Sequence, residues 1–391
     1  PLARPASGSI VNAGVVNGGS MRVLITVDAV GGVWQYGLDL ARGLAARGVE
    51  PVLALLGPKP DPHQLAEARE IPGVHLVETG LPLDWLCDQA APVRAAAEAV
   101  ARLAGDLDVH LVQLNMPTLA GAARFEMPVV AVTHGCVSTW WEAAKDEPLD
   151  GQYAWHRDLM RAGLIAADRL VAPTASYAAT IARHYALDET PRVVHNGRAP
   201  LPAALHTPRS QQPPSNDVLT VGRLWDRVKR ADLLDRVASR LNVPFAAAGA
   251  AIGPHGETIT LDHLSVLGQL DAEQLGERLS SRPIFVSAAS FEPFGLAVLE
   301  AAGAGCALVL SDIPGFRELW AGAALFVGGD DEAAYVEAIE SLLASPSLRQ
   351  DLGAAARTRA ARYSPQASAD AMLAIYSDLL ESREGSGRAA A

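Results

Sequence analysis

The feature that most constrains the fold is an alternation of short β-branched runs with helical segments, repeated along the chain in two series. The first series begins at Met21 and stops at a stretch rich in proline, serine and glutamine, residues 200–217. The second series follows it, with a glycine turn at Gly249. Alternating strands and helices form mostly parallel sheets that helices cover. The sequence therefore predicts an α/β protein of two Rossmann-like, doubly wound domains, with a hinge in the interrupting stretch.

Composition agrees with a two-domain globular protein. The 391 residues suffice for two ordinary cores, and 49% are hydrophobic while 19% are charged. The net charge of −12 argues against nucleic acid as a partner. The cysteines (Cys87, Cys136, Cys306) are scattered and odd in number, which indicates a reducing compartment without a disulfide framework or zinc site. We therefore expect a cytoplasmic protein.

The two ends of the chain carry separate predictions. Residues 1–20 are rich in Gly, Ser, Asn and Val and resemble neither a signal peptide nor a helix, so we expect a leader that is flexible or derived from cloning. A final helix is predicted from Ser364 to about Ser382, because serine followed by proline is typical of a helix start. The remaining residues, EGSGRAAA, are expected to be loose. No apolar run reaches the roughly 18 residues that a membrane span requires.

An anion site is predicted in the segment 287–319. The run PIFVSA, residues 283–288, is typical of a buried strand, and Pro293 occupies a position where proline is tolerated in the first turn of a helix. The residues that follow, Phe294, Gly295 and Leu296, would then have unpartnered backbone N–H groups. Free amides and the helix dipole both favour a phosphate.

Two carboxylates lie on either side of this helix start. Glu292 precedes it, and Glu300 lies five residues beyond Gly295, roughly 7 Å along the helix. A diphosphate bound at the helix start would have its sugar near Glu292 and its nucleoside near Glu300. For this spacing alone, two solvated glutamates beside an ordinary buried helix would be the default interpretation.

Cations are expected at the same edge of the second sheet. The segment 217–234 (DVLTVGRLWDRVKRADLL) predicts a strand, a turn and a helix, with Arg223 and Lys229 at the carboxyl end of the strand. Ligands of open α/β sheets bind at that edge, and a leaving diphosphate requires positive charge. Arg227 and Arg230 are alternatives to Lys229 in this role.

The first series of strands supplies further candidates. Gly31 and Gly32 form a turn after the first strand that would let a phosphate or sugar approach the backbone, although a plain tight turn fits the pattern too. His134 follows a strand, where a histidine is placed to face a cleft. Trp140 and Trp141 are expected in a loop, where they would either stack on a sugar or lipid or simply pack.

A D-x-D pair, Asp106 and Asp108, raises the question of a metal. It lies between a helix and a strand, where a solvated connecting loop is the ordinary interpretation. Because Arg223, Lys229 and the helix amides could neutralise a diphosphate, we expect no metal and no cofactor.

Taken together, these segments resemble the retaining glycosyltransferases of family 4, glycosyl transferase group 1, which have the GT-B fold. The resemblance covers nearly the whole chain and includes the E-x7-E region, a G-R-L…K segment, and a P-N-G-V-like passage in which His195 replaces the usual proline. It implies two domains facing a central cleft, with the C-terminal helix crossing back to the first domain. The expected divisions are the leader of residues 1–20, an acceptor-binding domain of residues 21–199 and a donor-binding domain of residues 200–363. Residues 364–391 would form the crossover helix and the loose tail.

The resemblance also implies residue roles. Glu292 would face the donor sugar's hydroxyls, Glu300 would hold the ribose diol, and Arg223 and Lys229 would bind the diphosphate. Gly31 and Gly32 would lie across the cleft from the diphosphate, His134 would contact the donor sugar or help organise the reaction, and Leu270 would flank the base.

The predicted activity is that of a metal-independent retaining hexosyltransferase. It would move a sugar from a nucleoside-diphosphate sugar, with UDP- or GDP-sugars favoured, to a carbohydrate, lipid-linked or small-molecule acceptor, in polysaccharide or glycolipid synthesis. Peripheral contact with the inner face of a membrane stays open. The alternatives are an enzyme like the sugar-nucleotide epimerases, or a non-catalytic module that binds sugar nucleotides.

Overall fold

The computed structural model describes residues 15–16, 19–201 and 213–390, so most of the predicted leader and of the predicted hinge lies outside the described residues. Within those ranges the chain forms two parallel sheets, of seven and six strands, each flanked by helices. A short antiparallel pair, β1 (Val15–Val16) and β2 (Gly19–Ser20), precedes them. The predicted α/β architecture is therefore confirmed.

The N-terminal lobe contains the larger sheet. Its strands pair in the order β5-β4-β3-β6-β7-β8-β9. They are β3 (Arg22–Asp28), β4 (Glu50–Leu56), β5 (His75–Leu81), β6 (Leu111–Leu114), β7 (Val129–Val132), β8 (Arg169–Ala172) and β9 (Arg192–Val193). The helices are α1 (Gly32–Ala45), α2 (Pro62–Arg69), α3 (Ala90–Asp106), α4 (Val137–Ala144), α5 (Ala154–Ala166) and α6 (Ala175–Tyr185).

The C-terminal lobe repeats this plan. Its strands pair in the order β12-β11-β10-β13-β14-β15. They are β10 (Val218–Val221), β11 (Phe245–Ala248), β12 (Ser265–Gly268), β13 (Ile284–Ser287), β14 (Leu308–Ser311) and β15 (Leu325–Val327). The helices are α7 (Ala231–Ala238), α8 (Ala272–Ser280), α9 (Leu296–Ala304), α10 (Pro314–Trp320), α11 (Glu332–Ala344) and α12 (Pro346–Ala360).

Local sequence explains where several helices begin. Asp61 caps α2 and Asp271 caps α8, each with a glutamine three residues later that completes a capping box. The central strands β6 and β7 are buried along their whole length, as parallel strands covered on both faces are.

The strand order sets the position of the ligand site. In the N-terminal sheet the order reverses between β3 and β6, and in the C-terminal sheet between β10 and β13. Loops that leave such a point in opposite directions open a crevice at the carboxyl ends of the strands. The segments predicted to bind the donor follow β3, β7, β10 and β13, so the fold brings them to this edge.

A long last helix, α13 (Pro365–Ala390), crosses back onto the N-terminal lobe, as predicted. Ala369, Met372 and Tyr376 are buried in the same core cluster as residues of β3 and α1. The contact with α1 is so close that a Cβ added at Gly43 would lie 2.5 Å from the Cβ of Ala369. The helix continues beyond Ser382 to Ala390, which corrects the prediction of a loose tail as far as that residue.

Candidate functional site

The helix start in the second lobe lies slightly later than predicted. Helix α9 begins at Leu296, so Pro293 precedes it and is not in its first turn. The reason is Gly295, which caps the helix with φ +92°, a left-handed conformation that glycine adopts without strain. Leu299 donates to the Gly295 carbonyl at 3.0 Å, which leaves the N–H groups of residues 296–298 at the open end of the helix. An anion at this helix start would therefore meet the amides of residues 296–298 rather than those of the predicted residues 294–296.

Two of the other predicted site residues, Phe294 and Leu270, pack at least partly in the core of the second lobe. The Phe294 side chain is 3% exposed and packs in the lobe's core, so only its backbone is available to a ligand. Leu270 follows β12 at the outer side of the same sheet edge and packs partly against that core.

Lys229 and Glu292 form a direct ion pair across the cleft floor of the second lobe. The Lys229 Nζ lies 2.5 Å from Glu292 Oε2, and each side chain is 19% exposed. Arg227 is exposed and Arg230 pairs with Asp330, so Lys229 is the cation of this segment that accompanies Glu292. The structure thus brings together two predicted site residues that are 63 positions apart.

Arg223 is held by a carboxylate, that of Asp226, which the sequence pattern does not predict. Its NH2 group donates to Asp226 Oδ2 at 2.7 Å, while the Arg223 side chain keeps 41% of its surface exposed. Asp226 is 2% exposed. A single such bond uses only part of the donor capacity of a guanidinium, so Arg223 keeps N–H groups for a second anion.

The glycine turn of the first lobe faces these cations. A Cβ added at Gly31 would lie 3.6 Å from Arg223 NH1, and one added at Gly32 would lie 3.4 Å from Leu296 Cδ1. Gly31, which caps α1, and Gly32, its first residue, therefore lie next to Arg223 and the start of α9 in the other lobe. Asp28, at the end of β3, is a further carboxylate here; burial raises its pKa, and Val30 and Arg223 oppose that rise.

His134 lies two residues beyond Val132, the last residue of β7, and Asn115 fixes its side chain. The Asn115 amide donates to the Thr26 carbonyl at 2.6 Å, so its Oδ1 faces His134 Nε2 at 3.1 Å. An amide oxygen only accepts, so His134 Nε2 carries the proton and Nδ1 is an acceptor. The Tyr36 ring packs at 4.4 Å between centroids. Burial lowers the pKa of His134 to about 4, which keeps the imidazole neutral at physiological pH.

The support for His134 extends to the crossover helix. Gln113, fully buried in β6, donates to Asn115 Oδ1 at 3.1 Å and to Tyr36 Oη at 3.2 Å. The hydroxyl of Tyr376 in α13 donates to Gln113 Oε1. Asn115 follows a buried strand, as His134 does, so the rule that found His134 would also have found Asn115.

Glu300 is engaged in a buried triad. Arg198 donates through Nε to Glu300 Oε1 at 2.7 Å and through NH1 to Asp39 Oδ2 at 3.1 Å. All three side chains are at most 10% exposed. Burial raises the pKa of both carboxyl groups, and Arg198 opposes the rise. The prediction left Glu300 open to a nucleoside, whereas in the structure one of its oxygens is already bonded.

The two tryptophans lie in helix α4, which corrects the prediction that they stand in a loop. Trp141 is 6% exposed and its indole N–H donates to the carbonyls of Glu147 and Pro148, so it packs within its own lobe. Trp140 instead donates to Asp226 Oδ1 of the other lobe at 2.9 Å.

Further contacts join the lobes around the cleft. Thr174 donates to the carbonyl of Pro293 at 2.9 Å. The carboxylate of Glu318 accepts from the amides of Ala175 and Ser176, at the start of α6, at 2.9 and 2.8 Å. The lobes are therefore in direct contact at Trp140, at Thr174 and at the start of α6.

The D-x-D residues lie away from the cleft. Asp106 ends α3 and Asp108 precedes β6, so both lie at the amino end of that strand, and both are exposed. Among the residues that the structure describes, no group of three or more His, Cys, Asp or Glu side chains is arranged to hold a metal ion. In the same residues, no helix has the length and apolarity needed to cross a membrane.

Two family models match the chain. Glycosyltransferase Family 4 matches residues 30–200, and Glycosyl transferases group 1 matches residues 209–359. Together they cover both lobes, and the chain belongs to this family of glycosyltransferases. The fold is GT-B.

Relatives and solved structures agree with this assignment. The chain is 27% identical to the D-inositol 3-phosphate glycosyltransferase of Streptomyces scabiei, over 88% of this chain and 86% of that protein. It is 26% identical to the alpha-maltose-1-phosphate synthase of Mycolicibacterium smegmatis, over 73% and 89%.

Two solved structures have the same fold. Sucrose-phosphate synthase from Thermosynechococcus elongatus has a TM-score of 0.77 and 20% identity, covering 93% of this chain and all of the other. Anabaena HepE, solved in complex with UDP-glucose, has a TM-score of 0.69 and 16% identity, covering 92% and 100%.

Proposed function

We propose that this glycosyltransferase moves a sugar from a nucleoside-diphosphate sugar to a hydroxyl acceptor, with retention of anomeric configuration. The observation that carries the proposal is the convergence of Arg223, the Lys229–Glu292 pair and the open amides of α9 opposite the Gly31–Gly32 turn. Cations, helix amides and side-chain-free backbone are the groups that a diphosphate requires. Uridine or guanosine is the base we favour, and the solved complex of HepE with UDP-glucose supports the former.

Breaking the sugar–phosphate bond places negative charge on the departing diphosphate. Arg223, Lys229 and the amides of residues 296–298 would stabilise that charge as it develops. These groups supply the positive charge without a divalent ion, which is the basis for proposing a metal-independent enzyme. Glu292, held by Lys229, would accept from the sugar's hydroxyls, and its negative charge would favour oxocarbenium character on the sugar ring.

The remaining predicted residues would position the donor. His134 presents Nδ1 as an acceptor because Nε2 is committed to Asn115, so it would bind a donor-sugar hydroxyl as a neutral ring. Glu300 would bind the ribose through the oxygen that Arg198 does not occupy. Leu270 would flank the base. The leaving phosphate itself would take the acceptor's proton in a front-face reaction.

The acceptor is proposed to bind on the N-terminal lobe, residues 21–199, with the donor on residues 200–363. Three of the similar proteins are named for small phosphorylated sugars or polyols, namely inositol 3-phosphate, maltose-1-phosphate and sucrose phosphate. Small phosphorylated acceptors are therefore the first class to test, ahead of polysaccharide or lipid-linked acceptors. A cytoplasmic location, with or without contact to a membrane surface, stays a prediction.

The test is a thermal-shift and calorimetric screen of the protein against UDP, GDP, ADP and their sugars, with and without EDTA. A ligand that binds the folded state raises the midpoint of unfolding. A shift selective for one diphosphate and insensitive to EDTA would support the donor site and identify the base. The absence of a shift with every nucleotide would contradict the proposal.

Product analysis then separates the alternatives. Incubation with the selected donor and an acceptor, followed by proton NMR, should show a new glycoside with the donor's anomeric configuration. An epimerised sugar would indicate an epimerase-like enzyme. Tight donor binding with no turnover on any acceptor class would favour a binding module.

A further inference from the structure

Asp226 organises the loop that carries both proposed diphosphate-binding cations. Its carbonyl accepts from the amide of Lys229 at 2.8 Å, and its Oδ1 accepts from the amide of Val228 at 3.3 Å. Its Oδ2 accepts from Arg223 at 2.7 Å, the short distance typical of a charge-assisted hydrogen bond. Asp226 therefore fixes the loop's backbone through its own carbonyl and Oδ1, and it holds the Arg223 guanidinium through Oδ2.

The same carboxylate is contacted from the other lobe. The indole Nε1 of Trp140, in helix α4 of the N-terminal lobe, donates to Asp226 Oδ1 at 2.9 Å. Ser290, also in the C-terminal lobe, reaches the carbonyl of Ala143 at 3.3 Å near the end of α4. Both contacts require the lobes to be closed, so separation of the lobes would remove the Trp140 donor and admit water to Asp226.

The direction of the Arg223 side chain shows what this contact controls. NH2 is the nitrogen bonded to Asp226, while NH1 lies 3.6 Å from the position of a Cβ on Gly31. Asp226 thus turns the free edge of the guanidinium toward the glycine turn, where the diphosphate is proposed to lie. The Arg223 guanidinium also lies 5.6 Å from the centroid of the Trp225 ring, which limits its movement on another side.

We propose that Asp226 is a positioning residue and that Trp140, Asp226 and Arg223 form a relay linking lobe closure to diphosphate binding. Closure of the lobes brings the Trp140 N–H into hydrogen-bond contact with the Asp226 carboxylate. That carboxylate holds the NH2 group of Arg223, which leaves NH1 facing the diphosphate. The relay rests on the proposed function, because it assigns Arg223 to the donor's diphosphate. It predicts that Trp140, which contacts no phosphate in this arrangement, contributes to diphosphate affinity through Arg223.

The test uses Trp140→Phe, which keeps an aromatic ring and removes the indole N–H. Trp141→Phe is the matched control, because it removes an indole N–H from the same helix whose partners lie within one lobe. Calorimetric titrations with UDP and GDP should show about tenfold weaker binding for Trp140→Phe and no change for Trp141→Phe, since bonds to charged groups are worth about that factor. Affinity for the bare nucleoside should stay unchanged in both variants. Equal diphosphate affinity in the two variants would overturn the relay.

A double-mutant cycle separates the relay from a merely structural contact. In an Arg223→Ala background, Trp140→Phe should cause no further loss of diphosphate affinity, because its effect passes through the missing guanidinium. Additive losses would overturn the relay while leaving the donor site intact. If Arg223→Ala alone leaves diphosphate affinity unchanged, the proposed donor site fails, and the relay fails with it. Asp226→Asn, which keeps an acceptor for Trp140 but loses the charge that holds Arg223, should lower kcat/KM for the donor at least tenfold.

Discussion

The buried triad at the lobe interface offers a prediction whose size follows from the structure. Arg198→Met keeps the aliphatic length of the side chain and removes the guanidinium that bonds Glu300 and Asp39. Asp39 retains Arg42 at 3.3 Å, whereas Glu300 retains no ion-pair partner among the described residues. The variant would leave a carboxylate that is 10% exposed without a counter-charge.

Removing one partner of a buried ion pair costs about 3–5 kcal/mol, because the remaining charge stays buried. Each kcal/mol lowers the unfolding midpoint by roughly 2–4 °C in a domain of about 150–250 residues. We therefore expect Arg198→Met to unfold about 10 °C below the wild-type protein at pH 8.

The loss of folding stability in Arg198→Met should be larger at high pH than at low pH. Burial already raises the pKa of Glu300 and Asp39 above the ordinary values, and removing Arg198 raises both further. A carboxyl group with a raised pKa in the folded state contributes stability at low pH that is lost as pH rises through that pKa. The difference between variant and wild type should accordingly be smaller at pH 5 than at pH 8.

Urea unfolding followed by circular dichroism at both pH values measures this difference. Arg198→Met/Glu300→Gln serves as the rescue variant, since it removes the unpaired charge together with the guanidinium, and it should recover part of the lost stability. A loss below about 1 kcal/mol at pH 8, or an equal loss at both pH values, would refute the reasoning.

Three further predictions concern single side chains. Lys229→Ala should lower kcat with the selected donor about 10²–10³-fold, because it removes both the positive charge that would stabilise the leaving diphosphate and the ion-pair partner of Glu292. An unchanged kcat would exclude the assigned role. The pKa of His134 falls from 6.5 to about 4, so rate–pH profiles should show no inflection from this ring above pH 5. Its contribution to stability should diminish as pH falls through that interval, and His134→Gln should abolish this dependence in urea unfolding. Gly197→Ala should destabilise the protein by about 1–3 kcal/mol, because the added Cβ would lie 2.5 Å from Pro365 N. Gly303→Ala is the control, since nothing lies within 4 Å of its added Cβ, and it should be neutral or stabilising by up to about 1 kcal/mol. Equal unfolding midpoints of the two variants would contradict this prediction.

The fold could be predicted because it depends on local patterns. Alternating strands and helices imply parallel sheets, and polar residues such as Arg223 and His134 directly after strands must meet at one edge. The same rule would have found Asn115 and Asp28, which end or follow buried strands in the same way.

The pairings within the site could not be predicted, because they depend on tertiary distances. Lys229 and Glu292 are 63 residues apart, and Arg198 and Asp39 are 159 apart, so no spacing rule connects them. Proline is common in first turns, so Pro293 predicts an earlier start for α9, whereas the left-handed Gly295 sets its boundary at Leu296. Carboxylates that hold cations, such as Asp226, have no distinctive sequence signal.

The most direct test of the donor site is a calorimetric titration of the selected nucleoside diphosphate into wild type and Arg223→Ala, both in EDTA. Arg236→Ala is the matched control, because Arg236 pairs with Asp232 and Glu332 on the surface of the same lobe. We predict that wild type and Arg236→Ala bind alike without metal, and that Arg223→Ala binds at least tenfold more weakly. Equal affinity in all three proteins, or binding that EDTA abolishes, would contradict a metal-independent diphosphate site at Arg223.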